Sequence, residues 1–207
     1  MKVGVLDYGS GNLHSACRAL EAAGGDVLLS SDHDALRRCD QLLVPGVGAF
    51  AACMEGLRAV GGDELIAGWI EQGKPLLGIC VGHQILFGDG AEHGRAAAGL
   101  GVFDGTVEQL NAERLPHMGW NTVAVPDGSR LFAGLADERF YFVHSYGVHA
   151  APGDALVTWA EHGGDRFVAA VERGVVSSTQ FHPEKSGAAG AQLLTNWLSH
   201  GDNASMG

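Results

Sequence analysis

In the first eighty residues, short apolar runs alternate with amphipathic stretches. Residues 3–6, with Val3, Val5 and Leu6, predict a buried strand. The turn Asp7-Tyr8-Gly9-Ser10-Gly11-Asn12 ends it, and helical spacing then holds over 13–23 until Gly24-Gly25. Residues 27–29 read as a second strand, and Asp32 is placed to cap a short helix running through Arg38. A third strand over 41–44 is broken by Pro45-Gly46-Val47-Gly48. Two helical stretches, 49–60 and 64–72, lead into the apolar segment Pro75-Leu76-Leu77-Gly78-Ile79-Cys80. Strands alternating with helices predict parallel pairing in a layered α/β sheet.

From about Leu100 the spacing shortens, and Gly, Pro and Asn separate brief alternating segments. This predicts antiparallel hairpins in the C-terminal half, with buried strands at 140–143 and 175–180 and a closing helix at 187–199. With no repeat or linker dividing the chain, 1–207 is expected to form one domain.

Composition narrows the classes. Hydrophobic residues at 46% and charged residues at 18% describe a globular chain. A net charge of -11 argues against nucleic acid or an anionic membrane as partner. Asp7 interrupts the opening apolar run too early for a secretory leader, and no charge-free run reaches membrane-spanning length. Four cysteines without CxxC spacing suggest a reducing cytoplasm, and neither metal nor cofactor is expected.

Among the cysteines, Cys80 alone is flanked by glycines, Gly78 and Gly82, where a strand meets a helix. A Gly-x-Cys-x-Gly turn there is the cysteine form of the nucleophile elbow. The glycines permit a strained turn that lifts the thiol above the sheet edge, and the helix start and the next backbone N–H favour an anion. That predicts acyl transfer through a thioester. Two glycines in a first helical turn cost stability and want a reason, whereas Cys17, Cys39 and Cys53 read as small apolar residues.

A cysteine nucleophile needs a base, and the base needs an orienter. Pro183 biases His182 toward an extended conformation, and extended residues two apart share a face. Glu184 can therefore fix the imidazole while the other ring nitrogen faces the thiol. His83 competes from the helix after Cys80, and His144 from the end of an apolar strand, but neither has a paired acid nearby. His14, His33, His93, His149, His162 and His200 stand in polar or loop-like contexts and are expected at the surface.

Together these residues resemble the class I (triad) glutamine amidotransferases, through Gly78-Ile79-Cys80-Val81-Gly82-His83-Gln84 and His182-Pro183-Glu184. Within that class, the block 7–12, the block 43–50, Pro116-His117-Met118-Gly119-Trp120-Asn121, Tyr141-Phe142-Val143-His144-Ser145-Tyr146 and the block 180–187 look like the glutaminase subunits of imidazole glycerol phosphate synthase. The resemblance spans nearly the whole chain. It implies that Cys80 attacks the glutamine side-chain amide, with His182 as acid and base and Glu184 as its orienter. It implies oxyanion donors at the N–H groups of Val81 and Val47, and glutamine contacts at Gly46, Gly48, Gln84, Ser145 and Tyr146. The partner implied is a cyclase subunit, in a heterodimer, facing Asn12, Trp120 and Lys185. It would use the ammonia on PRFAR, a phosphoribulosyl imidazole carboxamide, to make imidazole glycerol phosphate and AICAR in histidine biosynthesis. The isolated chain is expected to be nearly idle until a peptide in the 45–48 loop turns.

Position 83 departs from the pattern, because those subunits usually carry methionine there and other class I amidotransferases carry histidine. That leaves the alternative of a subunit serving another acceptor such as chorismate, against which Met118-Gly119-Trp120-Asn121 speaks. A dinucleotide-binding module, suggested by Gly9-Ser10-Gly11 with Asp32 downstream, fails where His14 replaces the third glycine.

Overall fold

The computed structural model describes residues 1–92 and 94–204; the surface placement expected for His93 lies outside them, as does the side chain of His200. The first half runs β1 (Lys2–Leu6), α1 (Leu13–Ala22), β2 (Asp26–Ser30), α2 (His33–Arg37), β3 (Gln41–Gly46), α3 (Phe50–Ala59), α4 (Gly62–Glu71), β4 (Leu76–Cys80) and α5 (Val81–Gln84). Then follow β5 (Phe87–Glu92), β6 (Arg95–Ala98), β7 (Phe103–Gln109), β8 (His117–Thr122), β9 (Arg139–His144) and β10 (Tyr146–Val148). Last come β11 (Leu156–His162), β12 (Asp165–Arg173), β13 (Val176–Thr179), a 3-10 turn at Pro183–Lys185, and α6 (Gly187–Ala204).

Seven strands form the main sheet in the order β11-β12-β13-β4-β3-β1-β2. The five from β13 to β2 run parallel, and β12 and β11 extend the edge antiparallel. Every residue of β4 is buried, as its apolar composition requires of a central parallel strand. Helices supply the covering layers: α1 buries Ala16 and Leu20, α3 buries Phe50, Met54 and Leu57, and α4 buries Ile66 and Trp69. The cap expected at Asp32 is present, its carboxylate accepting from Asp34 N at 2.9 Å and Ala35 N at 3.3 Å. Among the described residues no helix is long and apolar enough to cross a membrane.

Two features differ from the sequence reading. The short-strand region starts at Phe87 and not at Leu100, because α5 is a single turn. Ile85, Leu86 and Phe87 are fully buried, and an apolar run of that length does not by itself distinguish helix from strand. Secondly, β13 belongs only half to the antiparallel region. It pairs antiparallel with β12 but parallel with β4, with Thr179 opposite Ile79. Gly46 of β3 lies opposite Cys80 on the other side, so the C-terminal ends of β3, β4 and β13 finish level. This is the edge at which α/β sheets bind ligands.

Candidate active site

Cys80 has φ 57 and ψ −113 and, among the described residues, is the only non-glycine with positive φ. Such a backbone costs energy and persists only where its surroundings enforce it. They do so by close approach. A Cβ on Gly82 would stand 1.9 Å from the Val44 carbonyl oxygen, and one on Gly78 would stand 2.5 Å from the Gly82 oxygen. On Gly46 it would stand 2.6 Å from the Gly82 nitrogen. The three glycines let β3, β4 and α5 close on one another, and Cys80 is held with its sulfur 4.0 Å from Gln180 Nε2.

His182 is extended (φ −102, ψ 97), as Pro183 dictates. Its N–H donates to the Tyr141 carbonyl at 2.9 Å, and its carbonyl accepts from Ser186 Oγ at 2.6 Å. Nδ1–H donates to Glu184 Oε1 at 2.7 Å, with both side chains almost wholly buried. Nε2 is buried without a hydrogen-bond partner, and His182 lines the same cavity as Cys80. Burial alone would push this imidazole down; the neighbouring Cys80 sulfur and the Glu184 carboxylate outweigh it and bring the pKa up to about 9. At neutral pH His182 therefore carries the proton that an acyl transfer needs for its leaving amine.

The other candidate histidines are placed differently. His83 is fully buried, shares a 2.8 Å hydrogen bond between Nδ1 and Ser178 Oγ, and is pushed by burial down to about 3. It is absent from the cavity wall. His144 does reach the wall, where its Nδ1 lies 2.8 Å from the Tyr146 carbonyl. His162, expected at the surface, is half-buried with its ring stacked 4.3 Å from that of His117.

Cys80 and His182 share a cavity of about 590 Å³ with Val47, Gly48, Val81, Gln84, Ser145 and Tyr146. Gly46 is not part of its wall; it is buried behind the elbow, where its missing side chain makes room for α5. Gln84 lines the cavity, with its Nε2 donating to the Tyr146 carbonyl at 2.9 Å and to Gln180 Oε1 at 3.0 Å. A larger cavity, about 710 Å³, lies at the opposite end of the sheet around Pro75, Arg130 and Trp197, but no cysteine or histidine lines it.

Val81, first residue of α5, follows Cys80 directly and lines the same cavity. Val47 lines the cavity too, but its N–H is engaged elsewhere. Its N–H donates to Ser10 Oγ at 3.1 Å, while its carbonyl accepts from Ser10 Oγ at 2.8 Å and from Cys53 Sγ at 3.3 Å. Cys53 is thus more than a small apolar residue. Ser10 and Cys53 together hold Val47, its N–H bonded to Ser10 and its carbonyl to both.

Sequence reasoning missed Glu92, Gln109 and Pro116, which also line the wall, and Gln180 beside the thiol. Only Gln180 carried a signal, standing two residues before His182. Asn12 and Lys185 are exposed; Asn12 shares a cleft with His182 and Glu184, and Lys185 lies at the cavity. Met118 and Trp120 stand out from β8 at 61% and 49% exposure. Among the described residues no group of three or more His, Cys, Asp or Glu side chains is placed to hold a metal ion.

The family described as Glutamine amidotransferase class-I matches residues 4–200. Imidazole glycerol phosphate synthase subunit HisH of Corynebacterium diphtheriae is 60% identical, covering 95% of this chain and 98% of its own length. The subunit of the same name from Cutibacterium acnes is 58% identical, covering 96% and 97%. Among solved structures, a glutamine amidotransferase superposes with TM-score 0.77 at 22% identity, covering 97% of this chain and 98% of its own. PurLQS from Thermotoga maritima gives TM-score 0.75 at 21% identity, covering 96% and 98%. With the strained cysteine elbow and the buried His–Glu pair at one sheet edge, the chain belongs to the class-I glutamine amidotransferases, among the HisH subunits of imidazole glycerol phosphate synthase.

Proposed function

We propose that the chain hydrolyses glutamine at Cys80 and hands the ammonia to a cyclase subunit, which makes imidazole glycerol phosphate and AICAR from PRFAR in histidine biosynthesis. The observation that carries the chemistry is the Cys80 elbow facing His182, whose Nδ1–H is held by Glu184 at 2.7 Å. Cys80 Sγ attacks the amide carbon of glutamine, and His182 Nε2 gives its proton to the departing nitrogen. The γ-glutamyl thioester is then cleaved by water that His182 activates, releasing glutamate. The Val81 N–H stabilises the oxyanion, joined by the Val47 N–H once its peptide has turned away from Ser10. Gly48, Gln84, Ser145 and Tyr146 surround the substrate, and Glu92, whose Oε2 accepts from the Phe50 N–H at 2.8 Å, lies in the same wall.

Release as neutral ammonia leaves one proton behind per turnover, and ammonia reaching water at pH 7 becomes ammonium, which is no nucleophile. A docked cyclase that keeps the ammonia dry answers this. The exposed Met118 and Trp120, with Asn12 and Lys185, support that face as the heterodimer interface. The chain is read as one cytoplasmic amidotransferase domain over 1–207, in keeping with the apolar cluster that runs through both halves of the described residues. His83, the residue pointing to another acceptor, is sealed away from the cavity and carries no acceptor information.

The test is glutamate release, measured for the chain alone and then with the cyclase subunit and PRFAR. Strong stimulation is expected, together with its loss in Cys80→Ala. Equal rates with and without partner and ligand would refute the assignment.

A further inference from the structure

His117 and His144 form a buried pair that the chemistry above leaves unused. His117 opens β8, His144 closes β9, and the two stand opposite each other in the β8–β9 register. His144 Nδ1 lies 2.8 Å from the Tyr146 carbonyl oxygen, and its Nε2 lies 3.0 Å from His117 Nδ1. A carbonyl only accepts, so His144 holds its proton on Nδ1 and its Nε2 accepts from His117 Nδ1–H. His117 Nε2 then accepts from Asn121 Nδ2 at 3.3 Å, which also donates to the Glu161 carbonyl at 2.8 Å. Every proton in this row is placed with both rings neutral. Burial supports that state, pushing His117 down to about 4 and His144 to about 3.

The two ends of the row matter. At the inner end the Tyr146 carbonyl also accepts from Gln84 Nε2 at 2.9 Å, so both its acceptor positions are taken and that peptide is pinned in the cavity wall. The outer end, Asn121, sits on β8, the strand that presents Met118 and Trp120 to solvent. We infer that His144 is a positioning residue for glutamine binding, and that His117 ties it to the exposed Met118–Trp120 strand, so that the cyclase docking there acts on glutamine affinity. This rests on reading the cavity as the glutamine site.

The experiment uses the assembled enzyme. His144→Phe keeps the ring packing and removes both hydrogen bonds; KM for glutamine rises about tenfold while kcat at saturation changes little. His144→Asn puts an amide N–H where Nδ1–H stood and restores most of that loss. His117→Phe cuts the row one step farther out and shrinks the factor by which the cyclase changes KM. In a Cys80→Ala background, calorimetric glutamine binding weakens by the same factor in His144→Phe, free of any effect on chemistry. A wild-type KM in His144→Phe, or equal losses in the Phe and Asn variants with a lowered melting temperature, would overturn the proposal. Continued glutamate release by Cys80→Ala would instead overturn the reading of the cavity itself.

Discussion

At the scale of single residues, the site is governed by which atoms are paired and which are left waiting. His182 has one nitrogen committed to Glu184 and the other buried without a partner. Its pKa, about 9, lies above the 6.5 of a free imidazole. The protonated form is thus the one the fold favours, so its stabilisation is full below about pH 6.5 and is lost as pH rises through about 9. We expect kcat/KM for glutamine to decline on the alkaline side near that upper value. Glu184→Gln should move the decline to lower pH, which a pH–rate profile of the assembled enzyme reads directly; an unmoved profile would remove Glu184 as the orienter. Ser10 gives the second prediction. Its hydroxyl accepts from the Val47 N–H and donates to the Val47 carbonyl, and a neutral hydrogen bond is worth about 1 kcal/mol net. Ser10→Ala should therefore raise glutamate release by the isolated chain about fivefold, while leaving the fully stimulated rate alone.

At the scale of elements, the elbow is where β4, α5 and β3 meet too closely for side chains. The positive φ of Cys80 costs about 1 kcal/mol or more for any residue with a Cβ. Cys80→Gly should then be more stable than Cys80→Ala by about that amount in urea unfolding, though both are inactive. Gly82→Ala would drive a methyl to 1.9 Å from the Val44 oxygen and should cost about 3 kcal/mol or more, with the elbow displaced. This element was legible in the sequence because its constraint is local: glycines at 78 and 82 announce a turn no larger residue can make. The neighbouring β13 was only half legible. Its apolar pattern gave the strand, but pairing with β4 across nearly a hundred residues is set by the sheet and not by the run itself.

At the scale of the whole molecule, Pro116 of the cavity wall leads directly into β8, which exposes Met118 and Trp120. Trp120→Ala should weaken cyclase binding about thirtyfold, the size of an aromatic anchor, and leave unfolding of the free chain unchanged. A titration of the two subunits checks it, and unaltered affinity would place the docking surface elsewhere. The sequence alone determined the elbow at Cys80 and the pairing of His182 with Glu184, because Gly78-Ile79-Cys80-Val81-Gly82 and His182-Pro183-Glu184 fix their own backbone and place their groups at short range. It determined the alternating parallel core for the same reason, since strand and helix periods are local. Only the tertiary structure brought Glu92, Gln109, His144 and Tyr146 from four separate strands around the thiol, and only it bonded the Val47 N–H to Ser10. Those arrangements depend on contacts between residues far apart in the chain, and no local pattern encodes which distant strand will supply a wall.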